Sequence, residues 1–157
     1  MKTNKIKKVL IALDYDPTAK KIAEVGFEMA KAMGAEVTLL HVSVSPIMYT
    51  SVYADMGAWQ LDTLNTLDSI KSITAGSQNF LDKAKRHLKS KSVKTMVKEG
   101  DFATKILETA KEIDADCIVM GSHSQKWLEN IVMGSVTEEV LRKTTIPMFI
   151  IPTKKYD

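Results

Sequence analysis

The sequence predicts a doubly wound α/β fold, in which a five-stranded parallel sheet carries helices on both faces. Short apolar runs alternate with amphipathic segments along the whole chain, in the order β-α-β-α-β-α-β-α-β, and such alternation is typical of a parallel sheet. The runs are dense in Val, Ile and Leu without regular alternation, which indicates strands buried on both faces. With 157 residues, 45% of them hydrophobic, residues 1–157 are expected to form one domain with a substantial core.

Most of the predicted strands are continuous apolar runs. The third differs, because Val, Thr and Val at positions 93, 95 and 97 alternate with lysine and methionine. This alternation predicts an edge strand with one face near water. The predicted strands are Lys8–Asp14, Glu36–Val44, Ser92–Lys98, Asp116–Met120 and Ile146–Ile151.

Glycine and aspartate mark the boundaries of the helical segments. Gly34 follows the first segment and predicts its end, and Asp101 is expected to cap the third. Gly76 falls inside the second segment, so we expect that helix to kink or break there. The predicted helices are Thr18–Met33, Trp59–Leu88, Asp101–Ile113 and Gly134–Lys143.

The charge balance and the cysteine content exclude several classes of protein. The net charge of +3 arises from 22 basic and 19 acidic residues, a balance that does not indicate nucleic-acid binding. The only cysteine, Cys117, has no partner for a disulfide, which favours a reducing compartment. The apolar run Val9–Leu13 is too short for a signal-peptide core or a membrane span. We therefore expect a cytoplasmic protein that binds neither nucleic acid nor membrane.

The segment from Val119 to Ile151 is the most informative part of the sequence. A strand ends at Gly121, Ser124 follows, and nine residues further on Gly134-Ser135 opens an amphipathic helix. Small residues let the backbone approach an anion, and free N–H groups at a helix start direct partial positive charge at it. The pattern therefore predicts a phosphate site, although Gly121 and Ser135 can also simply turn and cap the chain. The predicted site comprises Gly121, Ser122, Ser124, Gly134 and Ser135.

Written as G-x-x-S-x9-G-S, this pattern closely resembles the G-x-x-G-x9-G-[ST] signature of the universal stress protein family, with Ser124 in place of one glycine. The resemblance covers essentially the whole chain, from KKVLIALD to PMFIIP, and is closer to the ATP-binding branch of the family. It implies the strand order 3-2-1-4-5 and a single universal-stress-type nucleotide-binding domain. It also implies ATP, or ADP or AMP, as the ligand, with Mg²⁺ as a possible companion. In that order the first and fourth strands flank the switch point, where ligands bind.

The resemblance also implies roles for residues at the strand ends. Asp14 matches the acidic residue of the family near the base and ribose, and its carboxylate can accept hydrogen bonds from either. An aspartate there can instead cap the next helix, but Asp16, just before Pro17 at the expected first helical position, is better placed for that. Val42 matches the position whose backbone contacts the adenine edge, and Met120 is expected to line the same pocket.

The remaining predicted contacts concern the phosphates. Gly121 is expected to let the chain turn and approach the ribose-phosphate, and Gly134 to leave room for the phosphate tail. The N–H groups of Ser135 and Val136 are expected to cap that tail, and the Ser135 hydroxyl to bind a phosphate oxygen or Mg²⁺. Ser124 has three possible effects that the sequence leaves open. It costs about 1 kcal/mol if the glycine serves a positive φ, it shortens the pocket if the glycine serves clearance, or its hydroxyl donates to a phosphate.

The last predicted strand, Ile146–Ile151, is an unbroken apolar run at the edge of the implied sheet, and such an edge invites pairing with another chain. Members of the family commonly dimerise through it, so we expect a homodimer. The expected function is a regulatory, ATP-binding dimer in the stress response, with a protein partner that the sequence does not identify. The alternatives are a dimeric interaction module that binds no nucleotide and, less favoured, a slow ATP hydrolase. No P-loop, dinucleotide motif or general base is recognisable, and His41 is expected to pack inside its strand rather than to catalyse.

Overall fold

The computed structural model describes residues 5–43, 63–122 and 133–153. Over these ranges the predicted alternation of strand and helix is confirmed. The strands are β1 (Lys8–Ala12), β2 (Glu36–Ser43), β3 (Lys94–Glu99), β4 (Cys117–Gly121) and β5 (Met148–Ile151). The helices are α1 (Ala19–Met33), α2 (Thr63–His87), α3 (Phe102–Glu112) and α4 (Ser135–Lys143).

All the strands join one parallel sheet in the order β3-β2-β1-β4-β5, which confirms the order that the resemblance implied. The central strand β1 places Ile11 between Leu39 of β2 and Val119 of β4. The chain winds from β1 out to β3, and then returns to the other side of β1 for β4 and β5. Because the winding direction reverses between β1 and β4, a crevice opens beyond the carboxyl ends of these two strands.

Each face of the sheet carries its own apolar core. Ile11 belongs to the core under α1 and α2, together with Leu81 of α2. Its neighbour Leu10 belongs to the opposite core under α3 and α4, together with Val140 of α4. Successive side chains of a strand point to opposite faces, so a strand covered on both sides needs apolar residues at nearly every position. This requirement explains the unbroken apolar runs of the sequence.

Helix α1 packs closely on the two strands that flank the switch point. A Cβ added at Gly26 would lie 2.9 Å from Ile11 Cδ1 and 3.1 Å from Val119 Cγ1. Gly26 therefore lets α1 approach both β1 and β4, a role that periodicity alone does not reveal. The helix ends as predicted at Gly34, which adopts a left-handed φ of 66°.

The connection from β1 to α1 is longer than the sequence predicts. Asp16 shapes this connection, since its Oδ1 accepts the N–H of Thr18 at 2.7 Å and its carbonyl oxygen accepts the N–H of Ala19 at 3.0 Å. The N-cap position of α1 belongs to Thr18, so the expectation that Asp16 caps the helix is wrong. Because α1 begins at Ala19, the placement of Pro17 at the first helical position is wrong as well. Strand β1 likewise ends at Ala12, which leaves Asp14 in the loop two residues beyond the strand.

The predicted kink in the second helix is wrong, because α2 runs unbroken from Thr63 to His87. A Cβ at Gly76 would meet no atom within 4 Å, so this glycine marks neither a close contact nor a break. One glycine inside a helix costs about 1 kcal/mol. Packing of the later turns, where Leu81 is fully buried, outweighs that cost. The predicted start of the helix at Trp59 lies outside the described residues.

Strand β3 is at the edge of the sheet, as predicted, and one of its faces is partly open to water, since Lys94 is exposed there. Val97 packs against the core under α1 and α2, while Met96 packs against the core under α3 and α4. Lys98 reaches α3, where its Nζ donates to Glu112 Oε2 at 2.9 Å. Helix α3 therefore covers part of the methionine and lysine face of β3.

The remaining strand boundaries shift by one or two residues. Asp116 precedes β4 and its Oδ2 accepts the N–H groups of Lys7 at 2.8 Å and Lys8 at 2.9 Å, which fastens the start of β4 to that of β1. Strand β5 begins at Met148 rather than Ile146, because the N–H of Ile146 donates to Thr144 Oγ1 at 2.9 Å. None of the described helices is long and apolar enough to cross a membrane.

Candidate functional site

A cavity of about 400 Å³ lies at the switch point, beyond the carboxyl ends of β1, β2 and β4. Most of the residues predicted for the site line it. Those residues are Asp14, Val42, Met120, Gly121, Gly134, Ser135 and Val136. The topology therefore brings together residues that are up to 122 positions apart in the chain.

Asp14 lies at the mouth of the cavity in the loop after β1. Its side chain is exposed, and its Oδ1 accepts the N–H of Tyr15 at 2.8 Å. Its carbonyl oxygen accepts the N–H of Asp16 at 2.8 Å, which turns the chain toward α1. Only the Oδ1 atom of this carboxylate is engaged, so its Oδ2 atom keeps its hydrogen-bonding capacity among the described residues.

His41 holds this loop from behind. It is buried, as predicted, and its Nδ1 lies 2.9 Å from the carbonyl oxygen of Leu13, to which the ring donates. Tyr15 meets the His41 ring edge-on at a centroid distance of 5.8 Å and stacks on Phe80 of α2 at 4.6 Å. These contacts fix the backbone on both sides of Asp14, and they support a packing role for His41.

One wall of the cavity is apolar. Val42 and Met120 are both buried and belong to the core under α3 and α4. Leu40 and Ile106 extend the same wall, and Phe102 closes it at the first residue of α3. Such a surface accommodates a flat apolar group, and its side chains form no hydrogen bonds with that group.

Gly121 lines the cavity, and its surroundings explain why the residue is a glycine. Its backbone does not adopt a positive φ, so the conformational freedom of glycine is not required there. A Cβ at this position would lie 2.4 Å from Ile22 Cδ1 and 2.9 Å from Thr153 Cγ2. Gly121 therefore provides clearance for α1 and for the chain after β5.

Ser122 is not among the residues that line the cavity. Its Oγ lies 3.1 Å from Thr153 Oγ1 and accepts the N–H of Thr153 at 3.0 Å. Its own N–H donates to the carbonyl oxygen of Ile151 at 2.9 Å. The side chain therefore fastens the end of β4 to the segment after β5, and it supports the site from behind.

The start of α4 opens into the cavity. The N–H of Gly134 donates to the carbonyl oxygen of Ser122 at 2.6 Å, which fixes the helix start at the end of β4. The N-cap residue Gly134 has no side chain to cap this helix, and the N–H groups of Ser135, Val136 and Thr137 lie in the first turn, where a helix offers no acceptor. Gly134 has φ −66° and ψ 154°, a conformation open to any residue, so its backbone does not require glycine.

Thr137 was not predicted from the sequence. It is buried, lines the cavity, and donates from Oγ1 to the carbonyl oxygen of Gly121 at 2.9 Å. Thr18, Ile22, Phe102 and Ile106 were missed as well. Thr18 directly precedes a helix, and the others lie in the first turns of one. In a doubly wound fold the first turn of a helix that follows a strand lies over the carboxyl ends of the strands. This rule could have identified these residues from the sequence.

The electrostatics of the cavity are set by few groups. Among the described residues that line it, Asp14 is the only one with a charged side chain. The attraction for an anion therefore comes from the N–H groups and the positive end of α4. The described ranges contain no cluster of three or more His, Cys, Asp or Glu side chains that could hold a metal ion. Ser124 and His123 lie outside the described residues.

Comparisons with known proteins agree on one family. The model of the universal stress protein family matches residues 5–152. Universal stress protein MJ0531 from Methanocaldococcus jannaschii is 31% identical over 155 residues, which cover 97% of this chain and 85% of that protein. The solved structure of hypothetical protein MJ0577 matches with a TM-score of 0.75 at 25% identity, and the match covers 97% of this chain and 99% of that one. A universal stress protein solved in complex with cAMP shares the fold, with a TM-score of 0.60, 16% identity and coverage of 95% and 98%.

Proposed function

This chain belongs to the universal stress protein family, and we propose that it binds ATP, or another adenine nucleotide, as a cytoplasmic regulatory homodimer. The proposal treats residues 1–157 as one nucleotide-binding domain of the ATP-binding branch. One observation carries it: the start of α4, where the N-cap Gly134 has no side chain to cap the helix, opens into a cavity of about 400 Å³ at the switch point of the sheet. Small-molecule sites commonly have volumes of about 300–1,000 Å³ and occur at such switch points.

The chemistry of the cavity changes from one end to the other in the way that a nucleotide requires. Val42 and Met120 offer an apolar surface for the base. Asp14, with an exposed carboxylate at the mouth, can accept hydrogen bonds from ribose hydroxyls or the adenine amino group. The N–H groups of Ser135 and Val136 are suited to the phosphates. Ser124, which precedes them in the sequence, is proposed to donate to the phosphate tail.

Mg²⁺ would enter this site with the nucleotide. Mg²⁺ keeps several waters and usually takes one or two protein oxygens together with substrate phosphates. The Ser135 side chain is exposed at the α4 start and is the hydroxyl best placed to complete such a set. When bound, the ion would neutralise part of the phosphate charge near Asp14.

A nucleotide-free interaction module is the second candidate, and the charge of the cavity favours it. The charged side chain among the described lining residues is the carboxylate of Asp14, which repels phosphate, and no lysine or arginine there offsets it. Hydrolysis of ATP is less favoured, because the described lining residues include no histidine that could act as a general base.

The proposal is tested by a Gly134→Val substitution. The backbone of Gly134 already has a conformation that valine adopts, so the fold is expected to tolerate the change. The added side chain is expected to fill the phosphate path and abolish binding of Mg·ATP, measured by calorimetric titration of protein freed of nucleotide. A Gly76→Val variant is the matched control, since Gly76 has open space around it and lies outside the cavity.

Unchanged affinity for Mg·ATP in the Gly134→Val protein, with the control also unchanged, would show that the phosphates do not bind at the start of α4. Loss of affinity in both variants would point to a general effect on folding, which the thermal unfolding midpoint of each variant resolves.

A further inference from the structure

Phe102 is an exposed aromatic residue on the wall of the cavity. Its exposed fraction is 38%, and it lines the same cavity as Val42 and Met120, which are buried. Among the large apolar residues that are exposed in the described ranges, it is the one that lines the cavity; the others are Tyr15, Val25, Leu141 and Phe149. Single exposed apolar residues are common, but a ring on the wall of a pocket is open to contact with any ligand that enters it.

The loop before α3 holds Phe102 in place. Gly100 has a φ of 134°, which favours glycine, and its N–H donates to the carbonyl oxygen of Ser43 at 3.0 Å. The Asp101 carboxylate then accepts the backbone N–H of Thr104 at 3.0 Å and its hydroxyl at 2.6 Å. These bonds anchor the first residue of α3, which is Phe102, at the carboxyl end of β2.

Phe102 and the start of α4 both line the cavity, each at the beginning of its helix. Helix α3 packs on β2, on β3 and on α4, whereas the N–H of Gly134 and the hydroxyl of Thr137 tie the start of α4 to the end of β4. Strand β1 lies between β2 and β4, so the ends of those two strands are separated by two strand spacings, or about 10 Å. A ligand that contacts both helix starts can place an apolar group against Phe102 and an anionic group at α4.

We propose that Phe102 is the platform on which the base of the bound nucleotide stacks. This inference rests on the proposed nucleotide binding and adds the residue that recognises the base. Stacking on an aromatic ring depends on the π-face that every base has, so Phe102 contributes affinity without choosing among bases. Base identity is then read by other groups near Val42 and Asp14.

The test compares three variants at this position by titration with Mg·ATP. Phe102→Ala is expected to weaken binding about 5-fold to 100-fold, the range that loss of one base–aromatic stack produces. Phe102→Leu keeps the apolar bulk without the ring and is expected to weaken binding as well. Phe102→Tyr keeps the ring and is expected to bind within about twofold of the wild type. Val25→Ala, at a residue with the same exposed fraction of 38% on α1 but away from the cavity, is the control.

Wild-type affinity in Phe102→Ala overturns the inference while the proposed function stands. Wild-type affinity in Phe102→Leu overturns the inference that the ring stacks on the base, because apolar bulk alone would then explain the contact. A wild-type chain that binds no adenine nucleotide overturns both the inference and the proposed function. Thermal unfolding midpoints equal to that of the wild type are expected for the variants, because Phe102 is a partly exposed first residue of a helix whose cap is Asp101.

Discussion

Thr18 carries a buried hydroxyl that forms no hydrogen bond within the described part of the chain. The residue precedes α1, where a threonine side chain commonly caps the helix, but it makes no cap bond. Asp16 already accepts the N–H of Thr18 and turns the chain into the helix. A buried hydroxyl without a partner costs about 1–3 kcal/mol, so Thr18 lowers the stability of the ligand-free protein.

A Thr18→Val substitution is therefore expected to stabilise the nucleotide-free protein by about 1 kcal/mol, since valine keeps the shape and removes the unpaired hydroxyl. Urea unfolding measures this change. Thr137→Val is the matched control, because its hydroxyl donates to the carbonyl oxygen of Gly121 and its loss should destabilise the protein by about 1 kcal/mol. Equal destabilisation in both variants would show that the Thr18 hydroxyl has a partner.

At the scale of elements, Asp116 links the starts of two strands. Its carboxylate accepts the N–H groups of Lys7 and Lys8, and these bonds, first that of Lys7, lower the pKa of the Asp116 side chain below its ordinary value. A carboxylate whose pKa is lower in the folded state stabilises the protein above its unfolded pKa of about 3.9. That stabilisation is lost as the pH falls through the folded pKa.

We therefore expect Asp116→Asn to be less stable than the wild type at pH 7, with a difference that shrinks as the pH falls below about 4. Chemical unfolding at a series of pH values measures it. Asp114→Asn is the control, because the Asp114 carboxylate accepts no hydrogen bond from the described residues and its backbone φ of 54° suits asparagine. A difference for Asp116→Asn that stays constant with pH would contradict the role of its charge.

The edge strand β5 is the element on which the proposed dimer rests. It pairs with β4 on one side, and Phe149 at its centre is 40% exposed. An apolar edge without a covering element invites pairing with a second copy. We expect sedimentation at micromolar concentration to give a dimer, and Phe149→Lys to give a monomer. Val25→Lys on α1 should remain dimeric, and a monomeric wild type would contradict the proposal.

At the scale of the whole molecule, the fold was predictable because its signal is repeated along the chain. The strands inside the sheet had to be apolar on both faces, so each apolar run independently indicated a covered parallel sheet. The order of strands depended on the resemblance, since periodicity does not record which strands are neighbours. The boundaries shifted at Asp14, Pro17 and Asp116, where side-chain bonds to the backbone decide where an element begins or ends.

The site was predictable where a residue follows a strand or belongs to the Gly134-Ser135 helix start, and it was missed where other helix residues reach over the sheet. Asp14, Val42, Met120 and Gly121 lie at or just after strand ends, and all of them line the cavity. Phe102 and Thr137 enter it from helix starts, and only the packing of α3 and α4 reveals their position. Gly121 and Ser122 show that a residue of the expected type can serve packing. Ser122 contacts Thr153 through its hydroxyl, and Gly121 lies too close to Thr153 for a larger side chain.

The central claim is that this chain binds an adenine nucleotide at the switch point, and one measurement tests it most directly. Mg·ATP is titrated calorimetrically into wild-type protein that has been unfolded, freed of nucleotide and refolded. We predict saturable binding with a stoichiometry near one nucleotide per chain. The absence of binding heat at several temperatures would contradict the account and would favour the dimeric interaction module that uses the same fold without a nucleotide.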